Sequence, residues 1–284
     1  MIEFIGDVAR FSFLQYALAA GVLVSIASGI VGSFVVARRI TYIAGAIAHS
    51  VLGGMGAARY AEVVYGIEWM HPLLGAAAAA LISALVIGLV SLKAGQREDT
   101  VIGAVWAVGM AVGILFIFKT PGYNENLMSY LFGNILMVSR EDLWLMAGLD
   151  LLILLTGLFF YHQFLAVCFD EEFALLRGLK VQTYYLLLLC LIALTVVLLV
   201  SVVGIIMVIA LLTLPAATAS YFSRSLWQMM GLSVLFSAFF TLGGIAVSYA
   251  PGIPAGATII LLAGAVYLLV VAVSYVHRMR NFTS

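Results

Sequence analysis

The sequence predicts an all-α polytopic membrane protein with about nine transmembrane helices, eight to ten being compatible with its pattern. Of its 284 residues, 65% are apolar and only 9% charged, against about 25% charged in soluble domains. Mean hydropathy is +1.19. Apolar runs of about 20 residues, the length that crosses about 30 Å of hydrocarbon, recur along the whole chain. No stretch is polar enough for a separate soluble domain, so residues 1–284 read as one transmembrane domain. The formal net charge is +0, which gives no basis for binding nucleic acid or for a polybasic lipid anchor.

Taken in order, residues 1–10 mix acidic and basic side chains and lack a small-residue cleavage site, so no removable signal peptide is expected. Residues 14–36, 72–92, 100–118, 225–249 and 254–276 are spans without a charge. Residues 40–58 make a span holding one histidine, His49, and residues 143–161 make one holding a single acid, Asp150. Residues 181–223 carry no charge and are too long for one crossing. A break near 201–204, at Gly204, divides them into two spans, the second carrying Thr213 and Pro215. The alternative is one span followed by a broken or re-entrant helix, with carbonyls freed around Thr213 and Pro215 lining a path. The loop 119–140 is longer than the others, and its apolar middle, 127–138, predicts a short helix at the outer surface. Gly109 with Gly113, and Gly252 with Gly256, form small-residue seams that suit close helix packing.

Residues 169–182 differ from everything around them. Asp170, Glu171 and Glu172 open the segment, Arg177 and Lys180 follow, and Gly178 ends it. Acids in the first turn and bases in the last complement the helix dipole, and glycine stops the helix. Such a helix is too polar for lipid. It lies on the membrane face, where a soluble partner can grip it. With nine spans, Arg38, Arg39, Lys93, Arg97, Arg177, Lys180, Arg224, Arg278 and Arg280 share one side, and only Arg10, Arg59, Lys119 and Arg140 fall on the other. The richer side is cytoplasmic by the positive-inside rule. The N-terminus is then outside, and the C-terminus and residues 169–182 are inside.

Ionisable groups within spans are costly and point to function. His49 can ligate a transition metal through one nitrogen, or bridge helices structurally. Asp150 can neutralise a passing cation or bond a nearby donor. Glu62, Glu68 and His71 flank the outer mouth between the second and third spans, where they gather cations or are simply solvated. His162 reads as interfacial. Cys168 and Cys190 match no metal-ligand spacing and imply no disulfide. There is no phosphate-binding loop, no zinc-protease motif and no nucleophile elbow, so neither ATP binding of that kind nor intramembrane hydrolysis is expected.

Five stretches, in order from about residue 21 to 269, together resemble the membrane permease subunit of bacterial ABC importers for zinc, manganese or iron. They are Arg38-Arg39 with the helix through His49; Glu98-Asp99-Thr100-Val101-Ile102-Gly103 continuing to Gly109, Ala111 and Gly113; Tyr130-Leu131-Phe132-Gly133-Asn134-Ile135-Leu136; Phe169 to Gly178; and Val203 to Ala219. The resemblance implies a type II ABC-importer-like bundle in the bacterial inner membrane, with no covalently bound cofactor. It implies a homodimer of permeases, docked on a cytoplasmic ABC ATPase dimer that binds the ATP. An extracytoplasmic metal-binding protein would feed it. Asp170, Glu171, Glu172, Arg177 and Gly178 would belong to the coupling helix seated in the ATPase. The permease is then not an enzyme.

Family members often carry an aspartate four residues before the histidine and a proline shortly after it. Here Gly45 and Gly53 stand in those places. Of that pair only His49 carries over, and Asp150 or Glu62 would have to supply an oxygen ligand. A histidine-lined path favours zinc over manganese and iron. The alternatives are a permease for metal chelates (haem, siderophore or cobalamin) and an ion-coupled secondary transporter working alone.

Overall fold

A computed structural model describes residues 2–67, 69–94, 98–121, 133 and 135–282. Among them there is no strand. The helices are α1 (Ile2–Arg10), α2 (Ser12–Arg38), α3 (Thr41–Tyr65), α4 (Pro72–Ala94) and α5 (Glu98–Lys119). A 3₁₀ turn, Ile135–Met137, leads to α6 (Arg140–Phe159), α7 (Tyr161–Phe169) and α8 (Glu171–Leu176). They are followed by α9 (Val181–Val203), α10 (Ile205–Ser220), α11 (Leu226–Tyr249) and α12 (Ala255–Phe282).

Among the described residues, seven helices are long and apolar enough to cross a membrane: α2, α4, α5, α6, α9, α11 and α12. The expected second span is there as α3, long enough at 25 residues but less apolar because of His49, Ser50 and its run of glycines. The expected seventh is α10, apolar but only 16 residues long. The long apolar segment divides at Gly204, where the expected break lies. Gly204 has φ +79°, a backbone that side chains resist. Pro215, by contrast, sits inside α10, which runs unbroken across it. The discontinuity belongs to Gly204 alone.

α2 and α9 are the most buried spans and form the centre. α2 is rich in small residues because its neighbours come close. A Cβ on Gly32 would stand 2.3 Å from the Leu212 carbonyl oxygen of α10, and one on Gly29 would stand 2.6 Å from the Val234 nitrogen of α11. Ser28 and Ser237 share a hydrogen bond of 2.9 Å across the α2–α11 contact. α3 packs chiefly on α5 and α4. The expected Gly109–Gly113 seam is part of that contact, with Gly109 against Ser50 and Gly113 against Leu52. The Gly252–Gly256 pair forms no such seam: Gly252 lies in the turn before α12 at φ +65°, with open space beside it.

Capping fixes the ends. Ser139 and Asp142 form a reciprocal box at the start of α6, with bonds of 3.1 and 2.9 Å. The 127–138 helix expected in the outer loop lies mostly outside the described residues, as do Glu68, Arg97 and most of the 130–136 motif. Gly133 is described, at φ +62°, and a Cβ there would meet the Val203 carbonyl carbon at 2.3 Å. Gly133 is therefore seated on the Gly204 break.

Candidate functional site

The first candidate site lies on the α3–α5 contact. α3 presents His49 half-buried, with its Nδ1 buried and without a hydrogen-bond partner. The imidazole stacks on the indole of Trp106 in α5, ring centroids 4.4 Å apart and planes 19° from parallel. Nothing in the sequence distinguishes Trp106 from the other aromatics of the spans. Gly45, one helical turn before His49, lies against the same indole: a Cβ there would be 2.9 Å from Cζ3.

His49, Asp150 and Glu62 are not gathered into one cluster, and among the described residues no three His, Cys, Asp or Glu side chains are placed to hold a metal. Glu62 lies 13 residues along α3 from His49, about 20 Å at 1.5 Å per residue, and is paired with Arg59 at 2.8 Å. Asp150 is 5% exposed, with neither carboxylate oxygen partnered. Its helix, α6, packs on α2 and α9. Thr213 hydrogen-bonds back to the Ile209 carbonyl at 2.7 Å, which occupies its hydroxyl within α10.

The second candidate site is the segment 169–182, at one end of the bundle. Asp170 caps α8, accepting the Phe173 N–H at 2.9 Å. Gly178 closes it at φ +75°, and its N–H donates to the Leu175 carbonyl at 2.9 Å. Arg177 lies over the Phe173 ring, 4.9 Å from its centroid. Phe169, Phe173, Leu175 and Leu176 are exposed, Leu176 by 87%. The tip is therefore apolar, rimmed by exposed Asp170, Glu172, Arg177 and Lys180. The sequence points to the charges and the closing Gly178 of this amphipathic segment, and the structure adds how far its apolar side chains are exposed.

Glu171 turns inward. Its carboxylate pairs with Arg38 at the end of α2, whose guanidinium also donates to the Val167 carbonyl. The same guanidinium lies 4.9 Å from the Tyr185 ring centroid in α9. Tyr185 donates to Ser91 at 3.4 Å, and Ser91 to Glu98 at 2.8 Å. One polar chain thus joins α8 to the ends of α2, α9, α4 and α5.

The described residues thus form a many-helix bundle of a multi-pass membrane protein, with an imidazole on the α3–α5 contact and a short amphipathic helix at one end. Residues 10–274 match the family model described as the ABC 3 transport family. The chain belongs to that family, the permeases of metal-ion ABC importers. It is 45% identical over 272 residues, 96% of this chain and 94% of the relative, to an uncharacterized membrane protein of Synechocystis. It is 35% identical over 266 residues, 94% and 89% of the two chains, to the manganese transport system membrane protein MntC of Halalkalibacterium halodurans. Among solved structures it resembles PsaBC from Streptococcus pneumoniae in complex with Fab, with a TM-score of 0.84, 34% identity and 95% of each chain covered. It is a multi-pass protein of the bacterial inner membrane.

Proposed function

We propose that this chain is the membrane permease of an ATP-driven importer of divalent metal ions, with zinc favoured over manganese and iron. The observation that carries the reading is His49, an imidazole within the α3–α5 contact whose Nδ1 is buried and unpartnered. A buried polar atom left without a partner costs the fold about 1–3 kcal/mol, and a metal ion in transit is a partner that relieves it. Family membership and the relative named for manganese support a divalent-metal cargo. The choice of zinc rests on imidazole, which suits zinc better than the harder manganese ion. Glu62 serves the outer mouth and Asp150 a separate step of the path.

Two copies of the permease dock on a cytoplasmic ATPase dimer through α8, and a metal-binding protein delivers the ion from outside. The exposed apolar tip of α8 gives the ATPase something to hold, and its charged rim gives register. ATP-driven closure of the ATPase moves α8, and the Arg38 chain carries that movement to α2 and α5. The N-terminus is outside and the C-terminus cytoplasmic. Arg38, Glu171 and Glu98, linked through Tyr185 and Ser91, and Asp7 accepting the Tyr249 hydroxyl at 3.0 Å support this grouping of helix ends, and the excess of basic residues supports which group is cytoplasmic.

The test is uptake of radioactive zinc and manganese into proteoliposomes holding the permease and its ATPase, with loaded binding protein outside and ATP inside. ATP-dependent zinc uptake is expected, falling at least about ten-fold in His49→Ala, the scale of losing a contact at a metal site. Uptake of neither ion by complexes that hydrolyse ATP would overturn the reading in favour of a metal chelate. Uptake without ATP would overturn it in favour of a secondary transporter.

A further inference from the structure

We propose that Trp106, packed against Gly45, determines which divalent ion His49 accepts: it leaves the ion one imidazole edge beside an aromatic wall, with no oxygen ligand from α3. This rests on the reading of His49 as a residue of a divalent-metal path.

Side chains four residues apart share a helix face. Ala46 and Leu52, three residues away on that face, are buried apolar side chains with no ligand atom, which leaves residues 45 and 53. Both are glycine, and both places are filled from α5. The Trp106 ring stands 2.9 Å from a Cβ at Gly45, and the Gly109 carbonyl oxygen stands 2.8 Å from one at Gly53. Ser50, the adjacent hydroxyl, donates to the Ile47 carbonyl at 2.7 Å. Indole offers an N–H donor and no lone pair for a metal, so Trp106 occupies the space of a ligand without being one. Its near-parallel stack covers one imidazole face and holds the ring plane, while the nitrogens lie at the ring edge.

Such a surround discriminates. Manganese is the weakest binder of the first-row divalent series and depends on carboxylate, carbonyl and water oxygens, whereas imidazole suits zinc. Trp106 is thus a positioning and selectivity residue. An acid at 45 would require the indole at 106 to give way.

The experiment measures Zn2+ and Mn2+ affinity of the full-length protein in lipid nanodiscs. It compares the wild type with Trp106→Phe, Gly45→Asp/Trp106→Ala and His49→Ala. The double variant, which exchanges the ring for a carboxylate, is expected to shift the Mn:Zn affinity ratio toward manganese by about ten-fold or more, the scale of environment changes at metal sites. Trp106→Phe keeps an aromatic face and is expected to keep the wild-type ratio. A folded double variant with an unchanged ratio overturns the proposal, as does Gly45→Asp folding with wild-type thermal stability while Trp106 is present. Tryptophan emission gives a readout that does not depend on the double variant. Zn2+ should change the emission of the wild type but not of Trp106→Phe, and an equal response to Mn2+ counts against the proposal. If His49→Ala binds both ions as the wild type does, the metal-path reading fails, and not merely its selectivity.

Discussion

Asp150 is a carboxylate within a span with neither oxygen partnered, an arrangement a fold does not keep for stability. Asp150→Asn is accordingly expected to slow uptake several-fold while leaving the thermal midpoint unchanged or raised. Parallel transport and melting measurements check this, and a lowered midpoint would make Asp150 a structural residue. Its place within a span was readable in the sequence, because one acid in an apolar run is conspicuous. Its separation from Glu62 and His49 was not, since which helix faces meet is set by packing. Trp106 was hidden for a related reason. An aromatic in an apolar span looks like any other, and only the contact with Gly45 and His49 distinguishes it. Glycines likewise look alike in sequence. A Cβ on Gly54 would be 2.0 Å from the Gly75 carbonyl oxygen, while Gly148 has nothing within 4 Å. Gly54→Ala should destabilise the α3–α4 contact by about 1–3 kcal/mol, the usual cost of overpacking. Gly148→Ala should be neutral or slightly stabilising. Thermal unfolding in detergent separates the two.

At the scale of elements, the boundaries of most spans follow from composition. The glycine break at 204 was legible because 43 uncharged residues (181–223) cannot cross once. The continuity of α10 through Pro215 was not, since tertiary packing carries a helix past a residue that sequence rules treat as a breaker. α8 was legible in its caps and charges, but not in the inward turn of Glu171. That turn predicts different effects for neighbouring residues. Leu176→Asp places a charge on the exposed tip and should weaken ATPase docking by about ten-fold or more, as loss of an interface anchor does. Arg38→Ala should leave docking intact yet lower the uptake per ATP hydrolysed. Arg38→Lys should rescue it poorly, because a point charge cannot serve a carboxylate, a carbonyl and a ring at once. Pull-down of the ATPase beside a coupled hydrolysis and uptake assay tells docking from transmission.

For the whole molecule, α5 and α12 are the least buried spans, the two faces open to the second copy proposed above. The His49–Trp106 pair favours α5: both residues are half-buried, and Ala104, Ala107 and Val108 beside them are exposed. A two-fold dimer closed over α5 would shield both imidazoles from lipid. Ala107→Cys should therefore cross-link between copies, and Leu268→Cys on α12 should not. Gel mobility under oxidising conditions reads the outcome.

Arg39 sits in the left-handed region at φ +62°, between the guanidinium held by Glu171 and the first turn of α3. Its N–H and that of Ile40 close α2 on the Val36 and Val35 carbonyls at 3.1 and 3.0 Å, so a change at this cap would act as a swivel with α3 as its lever arm. His49 is ten residues further on, about 15 Å along the helix axis. A tilt of about 10° at the swivel would carry the imidazole through about 2.6 Å, more than the length of a zinc–nitrogen bond of about 2.0–2.1 Å. On the proposed metal path, a small turn beside residues 169–182 would thus be enough to take the histidine off an ion.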